Sequence, residues 1–303
     1  MKQKEKRNKI AVVILSFNRP QYLKQVIDSL KEQTVKDFDY WLFQDGGVNK
    51  YSWRMAGNQK DIEKCIELFT EAYPTGKVEH SQANIGIGLN WKKAEEMMFL
   101  GEEYEQVIFL EDDLVLSPYY METMVNLFNH FYNDSRIGMI SAYGEVGGSR
   151  FPVVGKENSE VTPSHIRRMG HLWGIGVYRK EWLVRRSFML EFYDIIGERD
   201  YFYRPWDEIA NFYRKNGVQD TIALGQDGCK TASLLLFNQI KIAPSVNLAR
   251  YIGEQGFHSD AANYDKHKYA DMPIYDKSIK DFILSDRDYE DIRNALKEKY
   301  LEG

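Results

Sequence analysis

Apolar and polar residues follow a repeating order along the first half of the chain, and this order predicts alternating strands and helices. Residues 10–16 form a continuous β-branched run, typical of a strand that is covered on both faces. Pro20 then suits the first turn of a helix, since the apolar residues after it recur at helical spacing. The alternation continues to residue 142, which predicts an α/β fold: a mostly parallel sheet with helices on both faces and right-handed crossovers.

The individual elements are predicted from short apolar runs and from helical periodicity. Strands are expected at 10–16, 40–43, 78–80, 107–110, 137–142, 172–178 and 240–243. Helices are expected around 20–30, 62–69, 88–100, 118–131, 180–190, 206–215, 227–237 and 288–300. Residues 144–168 are polar and rich in Gly and Ser, so a long loop is expected there. No sharp linker interrupts the pattern, and one continuous domain is the preferred interpretation.

Composition narrows the class of protein only slightly. The 303 residues are 43% hydrophobic and carry a net charge of -5, which gives no reason to expect nucleic-acid binding. The two cysteines, Cys65 and Cys229, have no metal-ligand spacing and favour a reducing compartment. Residues 1–9 are basic and expected to be flexible, and the apolar run after them is too short to span a membrane. We expect a cytoplasmic protein whose basic start has the charge to touch the inner face of the membrane.

Three consecutive acids, Glu111, Asp112 and Asp113, directly follow the buried strand at 107–110. If the chain stays extended, Glu111 and Asp113 point one way and Asp112 the other. Carboxylates this close repel each other unless they are neutralised, and Mn²⁺ or Mg²⁺ bridging two phosphates would do so. The alternative is an acidic turn before a helix, with Ser117 as its cap.

Other polar residues also follow predicted strands, and the carboxyl ends of parallel strands share one crevice. The donor-binding candidates here are Ser16 at the end of the first strand, Asn18 and Arg19 just after it, and Asp45 after the second strand. Arg19 has the chemistry to bond a diphosphate or a base edge, and Asp45 to accept bonds from a nucleotide base or ribose. Ordinary turn roles are the alternatives for both residues.

Several of these segments together resemble a known family. Residues 12–20, 42–46 and 109–114 resemble the GT-A-type glycosyltransferases of family 2. Residues 109–118 resemble in particular the acidic metal-binding segment of N-acetylglucosaminyltransferase I and its bacterial relatives. The resemblance covers roughly the first half of the chain. It implies a Rossmann-like GT-A fold, a nucleotide-sugar donor that is UDP-linked, and Mn²⁺ or Mg²⁺ as cofactor.

The resemblance also implies roles for single residues of the donor side. Asp113 would be the direct metal ligand, and Glu111 and Asp112 would bond the ribose and the donor sugar. Asp45 would contact the uridine-like base. Asn84 begins a segment that resembles the Asn-x-Gly motif of GT-A enzymes, with a simple helix-entry turn as the alternative.

The second half resembles the family more loosely. Trp173 and Gly174 lie in a segment similar to a Gly-rich acceptor-side strand, where small residues leave room for sugar, or else pack closely against other backbone. His258 resembles a late histidine that approaches the diphosphate or the metal, with a surface-loop histidine as the alternative.

Two aspartates are candidates for the general base that removes the acceptor proton. Asp227 begins a predicted helix and stands at the family's distance from the run at 244–253, so it is preferred. Asp207 is the alternative, because Trp206-Asp207 resembles the context of the base in the glucosaminyltransferase. Either residue could also be a helix-start aspartate without another role.

These observations favour an inverting glycosyltransferase that acts on a glycan, a lipid-linked sugar or another hydroxyl acceptor in bacterial surface polysaccharide or glycan synthesis. Residues 10–142 would form the donor half, 143–260 the acceptor and catalytic half, and 261–303 a C-terminal helical extension. A sugar nucleotidyltransferase is a weaker alternative, since residues 16–20 replace its usual Gly-rich loop. A non-catalytic sugar-binding protein on the same fold is the other alternative.

Overall fold

A computed structural model describes residues 9–144, 162–256, 261–267 and 269–301. The strands in these ranges are β1 (Ala11–Ser16), β2 (Asp39–Gln44), β3 (Lys77–His80), β4 (Gln106–Glu111), β5 (Leu114–Leu116), β6 (Ile137–Ser141), β7 (Ile166–Arg168), β8 (Ile175–Tyr178), β9 (Ile240–Pro244) and β10 (Ala249–Tyr251). The α-helices are α1 (Pro20–Lys31), α2 (Gln59–Ala72), α3 (Gly86–Glu96), α4 (Tyr120–His130), α5 (Arg179–Ile196), α6 (Trp206–Lys215), α7 (Gln226–Leu236), α8 (Ala261–Lys266) and α9 (Asp286–Tyr300).

Eight strands form one sheet in the order β3-β2-β1-β4-β8-β6-β9-β7. Strands β3, β2, β1 and β4 are parallel neighbours, and β6 pairs in parallel with β9. Strand β8 is antiparallel to both β4 and β6, and β7 is antiparallel to β9. The predicted α/β fold with a mostly parallel sheet is confirmed, with two antiparallel strands in its second half.

The sheet separates two hydrophobic cores, and alternate side chains of β1 pack into one core and the other. Val12 and Ile14 pack into one core together with Leu23 of α1. Val13 and Leu15 point to the opposite face and pack into the other core. All four β1 side chains are buried, and burying an aliphatic side chain of this size contributes about 1.5–3 kcal/mol. This two-sided burial explains why β1 is a continuous apolar run.

Some predicted boundaries need correction. Strand β8 begins at Ile175 rather than at residue 172, and β7 lies at the end of the predicted loop. Residues 145–161 of that loop lie outside the described residues. Helix α4 begins at Tyr120, and Ser117 does not cap it with its hydroxyl; instead the Ser117 carbonyl accepts a hydrogen bond from the Tyr120 N–H at 3.0 Å.

The short strands β5 and β10 pair with each other in a separate two-stranded sheet. The pairing continues past the strands, because the Ile252 N–H donates to the Asp113 carbonyl at 2.9 Å. The late run at 244–253 therefore returns to the acidic segment behind β4. Within the described part of the chain, no helix combines the length and the apolar character that a membrane span needs.

Candidate active site

The acidic segment lies at the carboxyl edge of the sheet, beside the end of β1. Glu111 is the last residue of β4 and is in register with Leu15. The chain turns immediately after Glu111, so the alternation expected of an extended segment does not continue. Asp112 and Asp113 do not point to opposite faces, because both carboxylates contact the same guanidinium group, that of Arg19.

Arg19 connects the acids to the start of α1. Its Nη1 lies 2.8 Å from Oδ2 of Asp113, and its Nη2 donates to Oδ1 of Asp112. The second Asp112 oxygen accepts a hydrogen bond from the Phe17 N–H at 3.3 Å. Burial opposes the charge on Arg19, but the two aspartates raise its pKa above the ordinary value. The predicted contacts of Arg19 with a diphosphate and of Asp112 with a sugar remain predictions, since both groups are engaged with each other here.

Asp113 keeps one carboxylate oxygen without a partner. Its side chain is 5% exposed, and Oδ1 is buried with no hydrogen-bond donor among the described residues. Burial raises the pKa of Asp113 to about 6, although Arg19 acts in the opposite direction. Leaving a buried acceptor unsatisfied costs about 1–3 kcal/mol. This oxygen is therefore the best candidate in the site for binding a cation.

A cation at Asp113 would depend on ligands from outside the described chain. The described residues contain no group of three or more His, Cys, Asp or Glu side chains arranged to hold a metal ion. Mg²⁺ is usually bound through one or two carboxylates, with phosphate oxygens and water completing its shell. The Asp113 oxygen fits that mode of binding. His258, the other predicted ligand, lies outside the described residues.

Glu111 has a different environment from its two neighbours. Burial raises its pKa well above the ordinary value, and the negative charges of Asp113 and Asp227 raise it further. Burial and neighbouring negative charge both disfavour the ionised form of this carboxyl group. The influence of Asp227 also places that residue beside the acidic segment, although it is more than a hundred positions away in the sequence.

Asp227 lies in the first turn of α7, where the helix dipole favours a carboxylate. The Lys241 ammonium group is buried nearby on β9, and its Nζ donates to the Thr231 hydroxyl at 3.1 Å. Burial lowers the pKa of Lys241 to about 8, while the charge of Asp227 opposes that shift. The helix start and the Lys241 ammonium group both place positive charge near the Asp227 carboxylate. Asp207 lies in the first turn of α6, and both aspartates are exposed.

Asp45 is fully engaged in binding the start of α3. Its Oδ1 accepts from the N–H groups of Gly46 and Ile85, and its Oδ2 from the Asn84 side chain and the Gly86 N–H, all at 2.9 Å. The side chain lies in a residue only 4% exposed. Asp45 and Asn84 thus stabilise the entry to α3 as a unit, which is the turn role. The predicted contact of Asp45 with a base is not part of this arrangement.

The two remaining donor-side candidates lie in the loop between β1 and α1. Ser16 is 4% exposed at the end of β1, with the Cys65 thiol next to its hydroxyl. Asn18 is half-buried and faces Gly57, where an added Cβ would lie 3.3 Å from the Asn18 Cβ. Their predicted contacts with the donor remain predictions.

The acceptor-side candidates behave differently from each other. Gly174 has a φ of +59°, and a Cβ there would lie 2.3 Å from the Tyr120 hydroxyl oxygen. That hydroxyl donates to the Gly174 carbonyl at 2.6 Å. Tyr120 fills the space beside Gly174, which is the close packing given as the alternative, and the acceptor-side role of Gly174 stays a prediction. Trp173 is partly exposed and stacks on Tyr251 with ring centroids 4.3 Å apart.

Two residues of the site were not predicted. A Cβ on Gly253 would lie 2.5 Å from Oδ2 of Asp113, so only glycine fits against the acid at this position. The second unpredicted residue is Lys241, which the sequence does mark as a lysine within an otherwise apolar strand. Gly253 closes the run at 244–253, but its contact with Asp113 follows from the β5–β10 pairing and not from the local sequence.

Comparisons with known proteins found a matching family model and several similar solved structures. A family model described as Glycosyl transferase family 2 matches residues 11–192. Similar solved structures include the mannosyltransferase PcManGT from Pyrobaculum calidifontis in complex with GDP-Man and Mn2+ (10% identity, TM-score 0.43, covering 78% of this chain and 54% of that one). Others are S. aureus TarS 1-349 (15%, 0.44, 80% and 59%) and GalNAc-T7 with UDP, GalNAc and Mn2+ (12%, 0.41, 58% and 36%).

The chain covers between 36% and 59% of the length of these three solved structures. No curated protein sequence matches it.

Proposed function

Because this chain belongs to glycosyl transferase family 2, we propose that it transfers a sugar from a UDP-linked donor to a hydroxyl acceptor, with inversion at the anomeric carbon. The observation that carries the proposal is the unpartnered, buried Oδ1 of Asp113, which lies at the carboxyl edge of the parallel strands. Glu111 and Asp227 lie close enough to each other to interact electrostatically. These groups together supply what the reaction needs: a cation ligand, a hydrogen-bond donor and a base.

Asp113 would hold Mn²⁺ or Mg²⁺ through Oδ1, with the donor diphosphate as a further ligand. The bound cation would stabilise the negative charge that develops on the departing diphosphate. Arg19 supports this arrangement by fixing the other Asp113 oxygen and by balancing the charge of Asp112.

The transfer itself is a single displacement. The acceptor oxygen attacks the anomeric carbon, and its proton passes to the Asp227 carboxylate. The bond from the anomeric carbon to the diphosphate oxygen breaks at the same time, and its electron pair leaves with the diphosphate. Protonated Glu111 donates a hydrogen bond to a hydroxyl of the donor and so helps to fix its orientation. One displacement from the face opposite the leaving group inverts the configuration.

The wider setting of the reaction is also a proposal. The acceptor is a glycan, a lipid-linked sugar or another hydroxyl compound in surface polysaccharide or glycan synthesis, and the protein acts in the cytoplasm. The basic residues 1–9 support contact with an anionic membrane surface. The donor half (10–142) and the acceptor half (143–260) divide the function. They do not divide the fold, because β4 and β8 are neighbours in one sheet.

Calorimetric titration with UDP, with and without Mn²⁺, tests the proposal. In the wild-type protein we expect Mn²⁺ to tighten UDP binding by about tenfold or more. In Asp113→Asn the metal should have no effect, because the amide replaces the ligand oxygen at almost the same volume. Asp220→Asn, which changes a surface carboxylate that is 74% exposed, is the matched control and should bind like wild type. Equal UDP affinity with and without Mn²⁺ in the wild-type protein would contradict the proposed metal-dependent donor site.

A further inference from the structure

Arg204 lies outside the acidic segment and is a buried cation whose hydrogen-bonding capacity is largely unused. It follows the short 3-10 turn Tyr201–Tyr203 and precedes α6. The residue is 6% exposed, and its Nε and Nη1 are buried with no acceptor among the described residues. Burying a charged group without a partner is strongly unfavourable. An unpaired guanidinium group at such a depth indicates that an anion completes the site.

The nearest acid does not serve as that anion. Asp200 accepts hydrogen bonds from Arg54 Nε at 2.7 Å and from Arg54 Nη2 at 3.0 Å. It also accepts one from the Ser52 hydroxyl at 2.7 Å. Arg204 instead has the face of the Tyr201 ring at 5.1 Å, which accommodates a cation but accepts no conventional hydrogen bond.

The first turn of α3 lies beside Arg204, and the Gln226 side chain at the start of α7 reaches the same turn. A Cβ on Gly88 would lie 3.4 Å from Arg204 Nη2 and 3.7 Å from Gln226 Oε1. A Cβ on Gly86 would meet only Arg204 Nη2, at 3.8 Å, so the space in front of this glycine is open. First-turn N–H groups have no acceptor inside their own helix and favour anions. The Gly86 N–H donates to Asp45, and the next N–H in this turn is that of Ile87.

Tyr193 adds a second unused polar group. Its hydroxyl is buried without a hydrogen-bond partner in the described part of the chain. Burial lowers the pKa of the Arg204 guanidinium group, and Tyr193 is among the neighbours that oppose this shift. Burial raises the pKa of the Tyr193 hydroxyl, and neighbouring groups, Asp227 among them, raise it further. Arg204 and Tyr193 thus both carry buried donor groups that have no partner among the described residues.

We propose that Arg204, Tyr193 and the first turns of α3 and α7 form a subsite for an oxyanion carried by the sugar substrate, either a carboxylate or a phosphate ester. The assignment of a sugar rests on the proposed function, because Gln226 directly precedes Asp227. A planar guanidinium group binds carboxylate and phosphate oxygens in pairs, which suits either chemistry. The substrate class is therefore an acidic sugar, supplied as the donor or as the acceptor.

Thermal unfolding with paired ligands at constant ionic strength tests the subsite and distinguishes the two sources. The donor arm compares UDP-glucuronic acid with UDP-glucose in the presence of Mn²⁺. The acceptor arm compares glucuronic acid and glucose 6-phosphate with glucose in the presence of UDP and Mn²⁺. We expect the acidic ligands of one arm to raise the Tm more than their neutral counterpart, with an affinity preference of about tenfold.

Arg204→Gln should abolish this preference while the stabilisation by UDP and Mn²⁺ remains. Arg199→Gln is the matched control, because Arg199 lies in the same connection and donates to the Ile195 carbonyl at 2.9 Å. Gly88→Ala is a second variant that keeps Arg204 and suits a helix, but its methyl group narrows the space beside Nη2. Gly88→Ala should retain the Tm of the ligand-free wild-type protein and weaken the preference for acidic ligands. If Arg204→Gln does not fold, the result for Gly88→Ala tests the subsite on its own.

The outcomes separate this inference from the proposed function. No preference for acidic ligands in either arm overturns the subsite, as does a preference that survives both Arg204→Gln and Gly88→Ala. Loss of the response to UDP and Mn²⁺ in the wild-type protein contradicts the donor site instead. A preference in the donor arm identifies an acidic donor sugar, and one in the acceptor arm an acidic acceptor.

Discussion

At the scale of single residues, Asp227 and Asp207 both begin helices but have different surroundings. Both are exposed, but Asp227 lies near Glu111 and the buried Lys241. We predict that Asp227→Asn lowers the rate of sugar transfer by about two to four orders of magnitude, because the amide cannot take the acceptor proton. Affinity for UDP should be unchanged. The measurement is the rate of UDP release from a nucleotide-sugar donor, together with calorimetric UDP binding.

Asp207→Asn is the matched comparison and should remain near the wild-type rate, since the two substitutions make the same chemical change at the start of a helix. If Asp207→Asn loses activity and Asp227→Asn keeps it, the choice of base is wrong. The sequence left both aspartates open. The neighbours that distinguish Asp227 lie on β4 and β9, and the local sequence does not reveal them.

His171 makes a pH-dependent contribution to stability. Its Nε2 lies 3.0 Å from the Tyr143 carbonyl oxygen and 2.9 Å from that of Gly144, while its Nδ1 accepts from the Trp173 N–H. This arrangement needs a neutral ring with its proton on Nε2. Burial lowers the pKa of His171 from 6.5 to about 4. The unfolded chain therefore binds a proton at a higher pH than the folded chain does.

The sign follows from that difference. The contribution is complete above pH 6.5 and is lost as the pH falls from 6.5 towards 4. It amounts to no more than about 3 kcal/mol. We predict that the free energy of unfolding in urea falls less steeply over this range in His171→Gln than in the wild-type protein. An unchanged slope would show that His171 is protonated equally in both states.

At the scale of elements, the entry to α3 depends on one carboxylate. Asp45 accepts four hydrogen bonds from residues 46 and 84–86, and its replacement leaves these buried donors without a partner. We predict that Asp45→Ala lowers the free energy of unfolding by about 2–4 kcal/mol. Asp28→Ala is the control, because its exposed pair with Lys24 on α1 contributes only about 0.5 kcal/mol.

Urea titration followed by circular dichroism measures both variants. A different result would restore the original interpretation of Asp45: if Asp45→Ala keeps its stability but loses affinity for UDP, the carboxylate contacts the base. The sequence placed Asp45 correctly at the end of a strand. It did not reveal the partners, because they come from residues 84–86, about forty positions later.

Long elements could be predicted from the sequence, whereas the three-residue strands could not. Helix α6 has the predicted bounds, and the β1 strand is nearly as predicted, since each repeats its pattern over several residues. Strands β5, β7 and β10 have three residues each, which is too short for a periodic signal. Their existence depends on remote partners: β5 pairs with β10, which lies more than 130 positions later.

At the scale of the whole molecule, the convergence of polar residues at one sheet edge followed from the topology of parallel strands. The details within that edge did not. Arg19 pairs with the acids instead of remaining free, and Gly253 packs against Asp113. Both contacts join residues that are far apart in the sequence. A sequence pattern indicates burial and periodicity, but it does not indicate which loops are in contact.

A buried ion pair connects helices α3 and α7. Glu95 of α3 and Lys230 of α7 form a salt bridge with their side chains 1% and 0% exposed, and the Trp91 ring lies 4.5 Å from the Lys230 Nζ. We predict that Glu95→Met or Lys230→Met alone lowers the free energy of unfolding by about 3–5 kcal/mol, because each leaves an unpaired buried charge. The double variant should lose much less than the sum of the two, since it removes both charges.

The surface pair Lys64–Glu67 on α2, with both side chains about half exposed, is the matched control, and the corresponding changes there should cost less than about 1 kcal/mol each. Tryptophan fluorescence and circular dichroism should report the same urea transition in all variants, because eight of the strands form a single sheet. Single changes that cost no more than those of the surface pair would mean that water reaches Glu95 and Lys230. In that case this ion pair would not hold α3 and α7 together.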